Sequence, residues 1–365
     1  MAFVTALGVA NPPHRVPQMQ IADFMVRAMQ LEGERERKLR AVFRSSGIDY
    51  RYSVLEDYSS RNGLSFFPDT RDMEPFPGTS RRMERFRCHA ADLSVQAIQN
   101  AIGDRYHGHD FSHLITVCCT GMYAPGLDLE IMKRCGLRGS IHRLSLNFMG
   151  CYAAVNALRT ANALCEALPG SRVLVVCVEL CSLHFQKEYS EDNLLANALF
   201  SDGAAAVVIE GQSSDQGLKL VHFHSIVVDE GQNDMAWNVG DHGFEMKLSS
   251  YIPDLVRDGV RELGERFMSE TGLRLNDVEY FAIHPGGKRI LDAVERQLNL
   301  PPDRNKFARE VLRTCGNMSS PSVLFVLKKI WDSLTGDDAG KTILALAFGP
   351  GLTLESMILR IERSP

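Results

Sequence analysis

Among the residues of this chain that can act as nucleophiles, Cys151 has the most suggestive setting. It follows Gly150 in "LNFMGCYAAVNALRTANAL", where a loop gives way to apolar residues at helical spacing. Backbone N–H groups and the helix dipole at such a position stabilise a thiolate, so we expect the pKa of this thiol to be lowered. The competing interpretation is a small buried hydrophobic residue, which is the usual role of a cysteine in an apolar stretch.

A reactive thiol needs a base or cationic partner, together with donors for developing oxyanion charge. His284 ends the apolar run "YFAI" and is followed by Pro-Gly-Gly, which predicts a ring presented at the end of a buried strand. Asn317 follows Gly316 in "RTCGNMSS", immediately before a helical pattern, where an N-cap asparagine is the competing explanation. A Cys, His and Asn at element ends in two halves of one chain predict a shared site.

Other arrangements of the same residue types are less consistent with the sequence. His107, His109 and His113 in "DRYHGHDFSH" resemble metal ligands, but no Cys/His cluster complements them, so a solvated loop is favoured and no metal site is predicted. Papain-like proteases also use Cys, His and Asn. Their cysteine lies in a different frame near a mature N-terminus, whereas "GCYAA" lies in mid-chain, which disfavours a protease.

The composition restricts the class of protein. The 365 residues are 45% hydrophobic and 23% charged, with a formal net charge of −5, which gives no electrostatic reason to expect nucleic acid. No apolar run approaches the ~18 residues that a membrane span needs, and "MAFVTALGVANPPHRVPQ" lacks a basic region typical of a signal peptide. Nine cysteines without a C-x-x-C pair indicate reduced thiols. We therefore expect a cytoplasmic protein.

Short apolar runs alternate with helical patterns, which predicts an α/β fold with buried strands. Strand, loop, helix, strand, strand occurs twice, which predicts two similar halves: residues 1–210 with the cysteine and 220–365 with the histidine and asparagine. The polar stretch around 211–219 is the expected boundary. Residues 56–79 hold three prolines and fit no element, so we predict a long surface loop.

Several motifs together carry a family resemblance. "GCYAAVNAL", "ALFSDGAAAV", "IHPGGKRILDAVE", "GNMSSPSVLFVL" and "FGPGLTLESMILR" resemble the chalcone synthase-like family, the type III polyketide synthases of the thiolase fold. Fatty-acid-initiating ketosynthases share the Cys-His-Asn set, but "HPGG" and "GNMSS" favour the polyketide branch. Ala347 stands where the family's late loop usually has its first glycine.

The resemblance implies a layered α-β-α-β-α fold, a homodimer and a reaction without metal or redox cofactor, with coenzyme A thioesters as substrates. Cys151 would carry an acyl group from an acyl-CoA starter, and malonyl-CoA would supply two-carbon units after decarboxylation. His284 and Asn317 would hold the enolate oxygen. The loop of Gly349, Pro350 and Gly351 would contribute to cyclisation, giving a small pyrone, resorcinol or phloroglucinol-type product.

The resemblance also implies a set of cavity residues. Phe200 matches the gatekeeper phenylalanine, Met246 falls at a second gatekeeper position, and Trp237 falls where glycine is common. Trp237 is therefore expected to fill part of the elongation cavity, with a tryptophan packed outside the cavity as the alternative. The remaining expected cavity residues are Ser319, His184, Cys181 and Thr120.

Basic side chains at a tunnel mouth would attract the phosphates of coenzyme A. The candidates are Lys38, Arg40, Arg44, Lys288 and Arg289, with a solvated face as the competing interpretation of each, and Ser45 stands where the family usually has a lysine. Two other functions remain open at this point. One is a single-condensation enzyme similar to β-ketoacyl synthase III, and the other is a catalytically silent binding or assembly subunit.

Overall fold

The computed structural model describes residues 1–60, 63–212, 216–229, 234–249 and 252–363. The predicted elements around the three candidate residues are all present, and residues 213–215 of the expected boundary lie outside the described residues. The first half contains the following elements: β1 (Phe3–Ala10), β2 (His14–Pro17), α1 (Gln18–Ala28), α2 (Gly33–Ser45), β3 (Tyr50–Ser53), α3 (Thr79–Ile102), β4 (His113–Cys118), α4 (Leu127–Arg134), β5 (His142–Asn147), α5 (Ala153–Ala167), β6 (Arg172–Leu180), α6 (Glu191–Leu199) and β7 (Asp202–Glu210).

The second half contains the remaining strands and helices. Its elements are β8 (Gln216–Val227), β9 (Met235–Gly240), β10 (Gly243–Leu248), α7 (Ile252–Thr271), β11 (Val278–Ile283), α8 (Lys288–Gln297), α9 (Lys306–Cys315), α10 (Pro321–Ser333), β12 (Thr342–Gly349) and β13 (Thr353–Arg363).

Nine of the strands are hydrogen-bonded in the order β11-β12-β13-β8-β1-β7-β6-β4-β5. The two halves of this sheet meet at β1 and β8, which pair only through Phe3 with Lys219 and Val4 with Leu218. The two halves of the sheet are therefore joined by a short seam at the first strand.

Helices lie on both outer faces and between the halves. α5 and α10 each contact strands of both halves, α3 covers the outer face of β1, β6 and β7, and α7 covers β8 and β13. Strands buried on both faces explain the continuous apolar runs in the sequence. Successive residues of β6 alternate between the central core (Val173, Val175 and Cys177) and the outer core (Leu174, Val176 and Val178). The predicted α-β-α-β-α layering is confirmed.

The prediction of a surface loop for residues 56–79 is wrong for most of its apolar side chains. Phe66, Phe67 and Met73 are almost fully buried, and the ring of Phe67 packs against Phe76 with 5.7 Å between centroids. The buried Asp57 carboxylate replaces a regular element, because it accepts hydrogen bonds from the backbone N–H groups of residues 65, 66 and 67. The segment is part of the outer core. Its order comes from the hydrogen bonds to Asp57 and not from a repeating apolar pattern, so the sequence alone does not reveal it.

Candidate active site

Cys151 lies in the turn that leads into α5, as predicted. Gly150 has φ +84, and a Cβ there would lie 2.2 Å from Cδ of Pro350, so glycine lets the late loop approach the cysteine. The Gly150 N–H donates to Sγ of Cys119 at 3.0 Å. The side chain of Cys151 is buried, and its Sγ is 3.5 Å from Oγ of Ser319.

The expectation of a lowered pKa for Cys151 is wrong. Burial raises the pKa of the thiol to about 12, and the hydrogen bonds with Ser319 and Asn317 only partly oppose that effect. The charge on the nearby Glu179 acts in the same direction as burial. A helix start stabilises a thiolate, but removal of the sulfur from water costs more here.

His284 lies at the end of β11, and its backbone N–H donates to the carbonyl of Leu346 at 2.7 Å on the neighbouring strand β12. The ring is 1% exposed and packs edge-on to Phe348 with 5.9 Å between centroids. Neither Nδ1 nor Nε2 has a hydrogen-bond partner within the described residues. Burial lowers the pKa of the imidazole to about 3, so the neutral ring offers one N–H and one lone pair to a molecule in the cavity.

Asn317 is held from several directions between α9 and α10. Its Oδ1 accepts from the N–H of Ser319 at 2.8 Å, so the Nδ2 group is the end left to donate, and it lies 3.3 Å from the carbonyl of Gly286. Its backbone bonds the segment around Phe200: the Asn317 N–H donates to Leu199, and its carbonyl accepts from Ser201. The amide is therefore fixed to the same backbone bridge as the expected gatekeeper.

The three candidate residues line one cavity. This active-site cavity combines side chains from both halves, and Gly349 and Gly351 flank Pro350 beside it. Its walls include Cys151, His284, Asn317, Thr120, Ser319, Cys181, Phe200, Met246, Trp237 and Pro350. The cysteine, histidine, asparagine and expected gatekeepers are thus brought together from positions far apart in the sequence.

Trp237 and Met246 face each other across the hairpin of β9 and β10. The indole Nε1–H donates to the carbonyl of Cys119 at 2.6 Å, which ties the hairpin to the first half of the chain. Both side chains line the active-site cavity. The structure therefore places Trp237 in the cavity wall and not outside it.

A second cavity lies on the other side of four shared residues. Phe200, Trp237, Met246 and Cys181 line both cavities, and we call them the partition. The second cavity extends to Ile21 and Met25 of α1 and to His184, Phe185 and Phe244. His184 lines the second cavity and not the active-site cavity.

His184 lies against the partition, with 5.6 Å between its ring centroid and that of Trp237. Its Nε2 is 2.7 Å from the carbonyl of Thr120, and its Nδ1 accepts from the N–H of Phe244 at 2.9 Å, so the proton resides on Nε2. Its ring stacks on Phe244 with 4.3 Å between centroids. Burial lowers the pKa of this imidazole to about 3, which keeps it neutral.

Known proteins have related sequences and a similar architecture. Residues 1–213 match the family model for chalcone and stilbene synthases, N-terminal domain, and residues 219–362 match the corresponding C-terminal domain. The chain belongs to the chalcone and stilbene synthase family of type III polyketide synthases. As such it is a malonyl-CoA-dependent acyltransferase, which confirms the predicted class of enzyme.

Individual relatives agree with this assignment. The chain is 33% identical to "Alpha-pyrone synthesis polyketide synthase-like Pks18" of Mycobacterium tuberculosis (strain CDC 1551 / Oshkosh), over 100% of this chain and 92% of that one. It is 30% identical to "Type III polyketide synthase C" of Arabidopsis thaliana, over 98% and 95% of the two chains. The single-condensation alternative is not supported by these relatives.

Solved structures give the same fold. PKS-I from the brown alga Ectocarpus siliculosus superimposes with a TM-score of 0.90 at 28% identity, covering 98% of each chain. The C-terminal type III polyketide synthase domain of Steely1 from Dictyostelium also gives 0.90, at 29% identity over 98% of this chain and 99% of that one. The thiolase-like fold is therefore shown.

A third cavity, which we call the entry cavity because two of the predicted cations line it, lies between α2, α6 and α8. It is lined by Lys288, Arg289, Ser45 and Ser46, and it reaches Gly286 and Ile290, which also line the active-site cavity. Lys288 and Arg289 are exposed there. This cavity connects solvent-facing cations with the backbone next to His284.

The other three predicted cations lie outside the walls of that cavity. Lys38 forms an ion pair with Glu191 at 2.7 Å. Arg40 contacts Asp23 and Glu36, at 2.6 and 2.7 Å. Arg44 is exposed on α2. Their positions in the sequence predicted that they would lie near this cavity. In the structure, ion pairs hold the side chains of Lys38 and Arg40 against acidic residues.

Two supporting residues of the synthase were missed from sequence. Glu179 is fully buried beneath the site, and its carboxylate accepts from the N–H of Cys119 at 2.9 Å and the hydroxyls of Thr120 and Ser320 at 2.8 and 2.7 Å. Burial raises the pKa of this carboxyl to about 7. The signal was present, since Glu179 is the only charged residue inside the apolar run "VLVVCVEL".

Arg51 is the second residue that was missed. It is 5% exposed, and its Nη1 donates to the carbonyl of Phe200 at 2.7 Å while Nε donates to Gln18 at 2.8 Å. Burial lowers the pKa of the guanidinium to about 10. It holds the backbone of the gatekeeper position, and nothing in its local sequence indicates this partner.

The remaining histidine prediction is only partly met. His107 and His109 are exposed between α3 and β4, whereas His113 is buried as the first residue of β4 and stacks on His142 with 5.1 Å between centroids. Among the described residues no helix is long and apolar enough to cross a membrane.

Proposed function

We propose that this type III polyketide synthase loads an acyl-CoA starter on Cys151 and extends it with malonyl-CoA. The extended chain cyclises to a pyrone, resorcinol or phloroglucinol-type product, and of these we favour an α-pyrone. An α-pyrone forms when an enol oxygen of the chain attacks its own thioester, and the Mycobacterium relative is described as an α-pyrone synthesis enzyme. The cysteine belongs to the half formed by residues 1–210, and the histidine and asparagine belong to 220–365.

The observation that carries this proposal is that neither ring nitrogen of His284, in the cavity of Cys151, has a partner in the part of the chain that the structure describes. Buried polar atoms are nearly always paired, so an orphaned imidazole in a cavity indicates that the missing partner is a bound molecule. The Asn317 amide faces the same cavity with its oxygen already bonded to Ser319. Two fixed donors at one point suit an enolate or tetrahedral oxyanion.

The reaction then follows from these groups. Cys151 gives its proton to His284, and its sulfur attacks the starter thioester, so that the sulfur–carbonyl bond to coenzyme A breaks and coenzyme A leaves as a thiol with the proton from His284. Malonyl-CoA loses CO2, and His284 Nε2–H and the Asn317 amide donate to the resulting enolate oxygen. The enolate carbon attacks the acyl carbonyl on Cys151, which forms the new C–C bond and breaks the bond between that carbonyl and the cysteine sulfur. The sulfur leaves as a thiolate, and the extended chain is now a coenzyme A thioester that can exchange onto Cys151 again for the next extension. Since the charge develops only during reaction, preorganised donors lower the barrier selectively.

We infer that the partition limits what Cys151 carries. Phe200 and Met246 of the partition orient malonyl-CoA, while Trp237 fills space that a glycine would leave open. Cys181 completes the partition, and His184 supports it from the second cavity. Ser319 and Thr120 line the remaining wall, and the loop of Gly349, Pro350 and Gly351 closes the side where the chain cyclises. Lys288 and Arg289 attract the coenzyme A phosphates at the entry, and we assign a smaller part to Lys38, Arg40 and Arg44.

The experiment is a panel of acyl-CoA starters with labelled malonyl-CoA, analysed by product mass spectrometry. We expect products with more than one extension and a closed ring, and none from Cys151→Ala. Asn317→Ala should slow decarboxylation by at least about a hundredfold, the usual effect of removing one oxyanion donor. A single extension without ring closure would favour the ketosynthase alternative. Equal behaviour of wild type and Cys151→Ala would favour the silent subunit.

We also propose that the synthase is a cytoplasmic homodimer. Its free cysteines suit a reducing compartment, since each of the nine is unpaired. The exposed edge of the sheet at β5 offers a surface for a second copy.

A further inference from the structure

Two histidines and a glutamate meet on the outer face of the second half, away from the cavities described above. His222 and His224 are two residues apart on β8, so their side chains leave the same face of the strand. α7 packs on this face and brings Glu270, from its last turn, over them. The ligand atoms that the three side chains offer all lie within 4.8 Å of one another.

Both imidazoles lie close to a single carboxylate oxygen. Oε2 of Glu270 is 3.0 Å from Nε2 of His222 and 3.3 Å from Nδ1 of His224. His224 faces Glu270 with Nδ1, and its other ring nitrogen, Nε2, is buried without a partner among the described residues. Three ligand atoms of two chemical types therefore converge on one small space.

We propose that His222, His224 and Glu270 form a binding site for a borderline transition-metal cation such as Zn²⁺. The ligands are Nε2 of His222, Nδ1 of His224 and Oε2 of Glu270, with a water molecule in the fourth position. Zinc bonds of about 2.0–2.2 Å to imidazole and carboxylate in a tetrahedron place ligand atoms a little over 3 Å apart, close to the two distances observed.

The chemistry of the ligands selects the class of cation. Two imidazoles and one carboxylate suit Zn²⁺, Co²⁺, Ni²⁺ or Cu²⁺, whereas Mg²⁺ and Ca²⁺ prefer oxygen ligands alone. The side chains of His222 and Glu270 are 33% and 37% exposed, so an ion reaches the site from solvent and keeps a water ligand. His224 is the more buried ligand, at 14%.

The site would act on structure and not on the reaction, since none of its residues lines the active-site cavity or the entry cavity. A metal ion there ties the last turn of α7 to the middle of β8. α7 begins at Ile252, and Ile252 and Pro253 line the entry cavity, so the ion steadies a helix that borders the path of coenzyme A.

The test measures Zn²⁺ bound per chain after equilibrium dialysis at micromolar Zn²⁺, together with the shift in melting temperature on addition of Zn²⁺. We expect wild-type protein to bind one more ion than the double variant His222→Ala/His224→Ala, and to melt at a higher temperature with Zn²⁺. The matched control is His107→Ala/His109→Ala, an exposed pair with 5.6 Å between ring centroids. It should bind as wild type does. Any Zn²⁺ bound by cysteines should be equal in the wild type and in these variants, so it does not affect the difference between them.

Glu270→Gln provides a variant whose folding is not at issue, because the side chain is more than a third exposed. Changes in groups that merely support a metal ligand cost about 10–100-fold in affinity, so loss of this direct ligand should weaken Zn²⁺ binding by at least about tenfold. Equal Zn²⁺ uptake by wild type and the double variant would overturn the proposal, as would unchanged affinity in Glu270→Gln. So would a Zn²⁺-induced melting shift that the double variant retains.

Discussion

At the scale of single residues, Cys151 and His284 show that burial alone would leave the active site unreactive. Burial raises the pKa of the thiol to about 12 and lowers that of the imidazole to about 3, so each group by itself favours its neutral form. Transfer of the proton from sulfur to the ring leaves the net charge of the cavity unchanged, and the two new charges stabilise each other. The thiolate therefore depends on the histidine.

His284→Gln should consequently move the alkylation of Cys151 to higher pH. Without the imidazole no described ring that lines the cavity can accept the thiol proton and oppose the effect of burial with a positive charge. An opposite charge at close range is worth about 1–3 pKa units, so we expect a rise of at least about one unit. The measurement is the rate of iodoacetamide labelling against pH, with peptide mass spectrometry to separate Cys151 from Cys119 and Cys181. Asn317→Ala is the comparison and should shift the midpoint less. An unchanged midpoint in His284→Gln would contradict this account.

Trp237 offers a second prediction at this scale. It lies in the wall shared by the active-site cavity and the second cavity. Trp237→Gly should join these spaces and give products lengthened by at least one malonyl unit, or allow bulkier starters. Product mass spectrometry with the starter panel measures this. The other tryptophan, Trp331 on α10, lines neither cavity, and Trp331→Ala should leave the product pattern unchanged. An unaltered pattern in Trp237→Gly would remove the tryptophan from chain-length control.

The sequence predicted the positions of Cys151, His284 and Asn317 because each stands at the end of an element with a recognisable apolar pattern. It could not reveal their protonation states, which depend on how much water the assembled cavity excludes. The supporting roles of Glu179 and Arg51 could not be predicted from the sequence, for a related reason. Their partners come from distant parts of the chain, so only the folded structure shows what a buried charge supports.

At the scale of elements, the hairpin of β9 and β10 is the part that joins the two halves around the cavity. Gly243 begins β10 with φ +98, and a Cβ there would lie 2.7 Å from Cδ of Arg82 and 2.9 Å from Nδ1 of His184. Its N–H donates to Oγ1 of Thr79 at 2.8 Å. The close approach lets the hairpin dock on α3 and on the turn that carries His184.

Gly243→Ala should therefore destabilise the protein and displace the partition. The matched control is Gly340→Ala, since Gly340 has φ +80 with nothing within 4 Å of an added Cβ. Positive φ alone costs about 1–2 kcal/mol in the free energy of unfolding, and crowding adds about 1–3 kcal/mol at Gly243. Urea unfolding measures the difference, and the product profile should change only in Gly243→Ala. Equal losses in the two variants would show that the hairpin does not need this close approach.

The elements themselves were largely predictable, because continuous apolar runs and helical periodicity mark β4, β6, β7, α5 and α10 clearly. Residues 56–79 were not, since their order depends on the Asp57 carboxylate and on aromatic rings that pack against α1 and the turn after β6. Likewise, the short seam between β1 and β8 depends on contact between strands more than 200 residues apart. No local pattern encodes either feature.

At the scale of the whole molecule, the two ends of the nine-stranded sheet are unlike each other. β11 ends one side with Phe281, Ala282 and Ile283 buried, whereas every residue of β5 on the other side is at least partly exposed. Leu144 in β5 is 41% exposed. A bare edge strand with an exposed apolar side chain invites pairing with another chain. We therefore expect the proposed homodimer to form by antiparallel contact of two copies of β5 about a two-fold axis.

Leu144→Asp should dissociate that dimer, because it replaces apolar contact with carboxylates brought close by the two-fold axis. Light scattering after size exclusion should give twice the chain mass of 40.7 kDa for wild type. The dissociation constant of Leu144→Asp should rise at least tenfold, which corresponds to about 1.4 kcal/mol. Leu168→Asp is the control, since Leu168 is 48% exposed at the end of α5, and it should remain dimeric. A monomeric wild type would reject the dimer, and a Leu144→Asp protein that dimerises as tightly as Leu168→Asp would place the interface elsewhere.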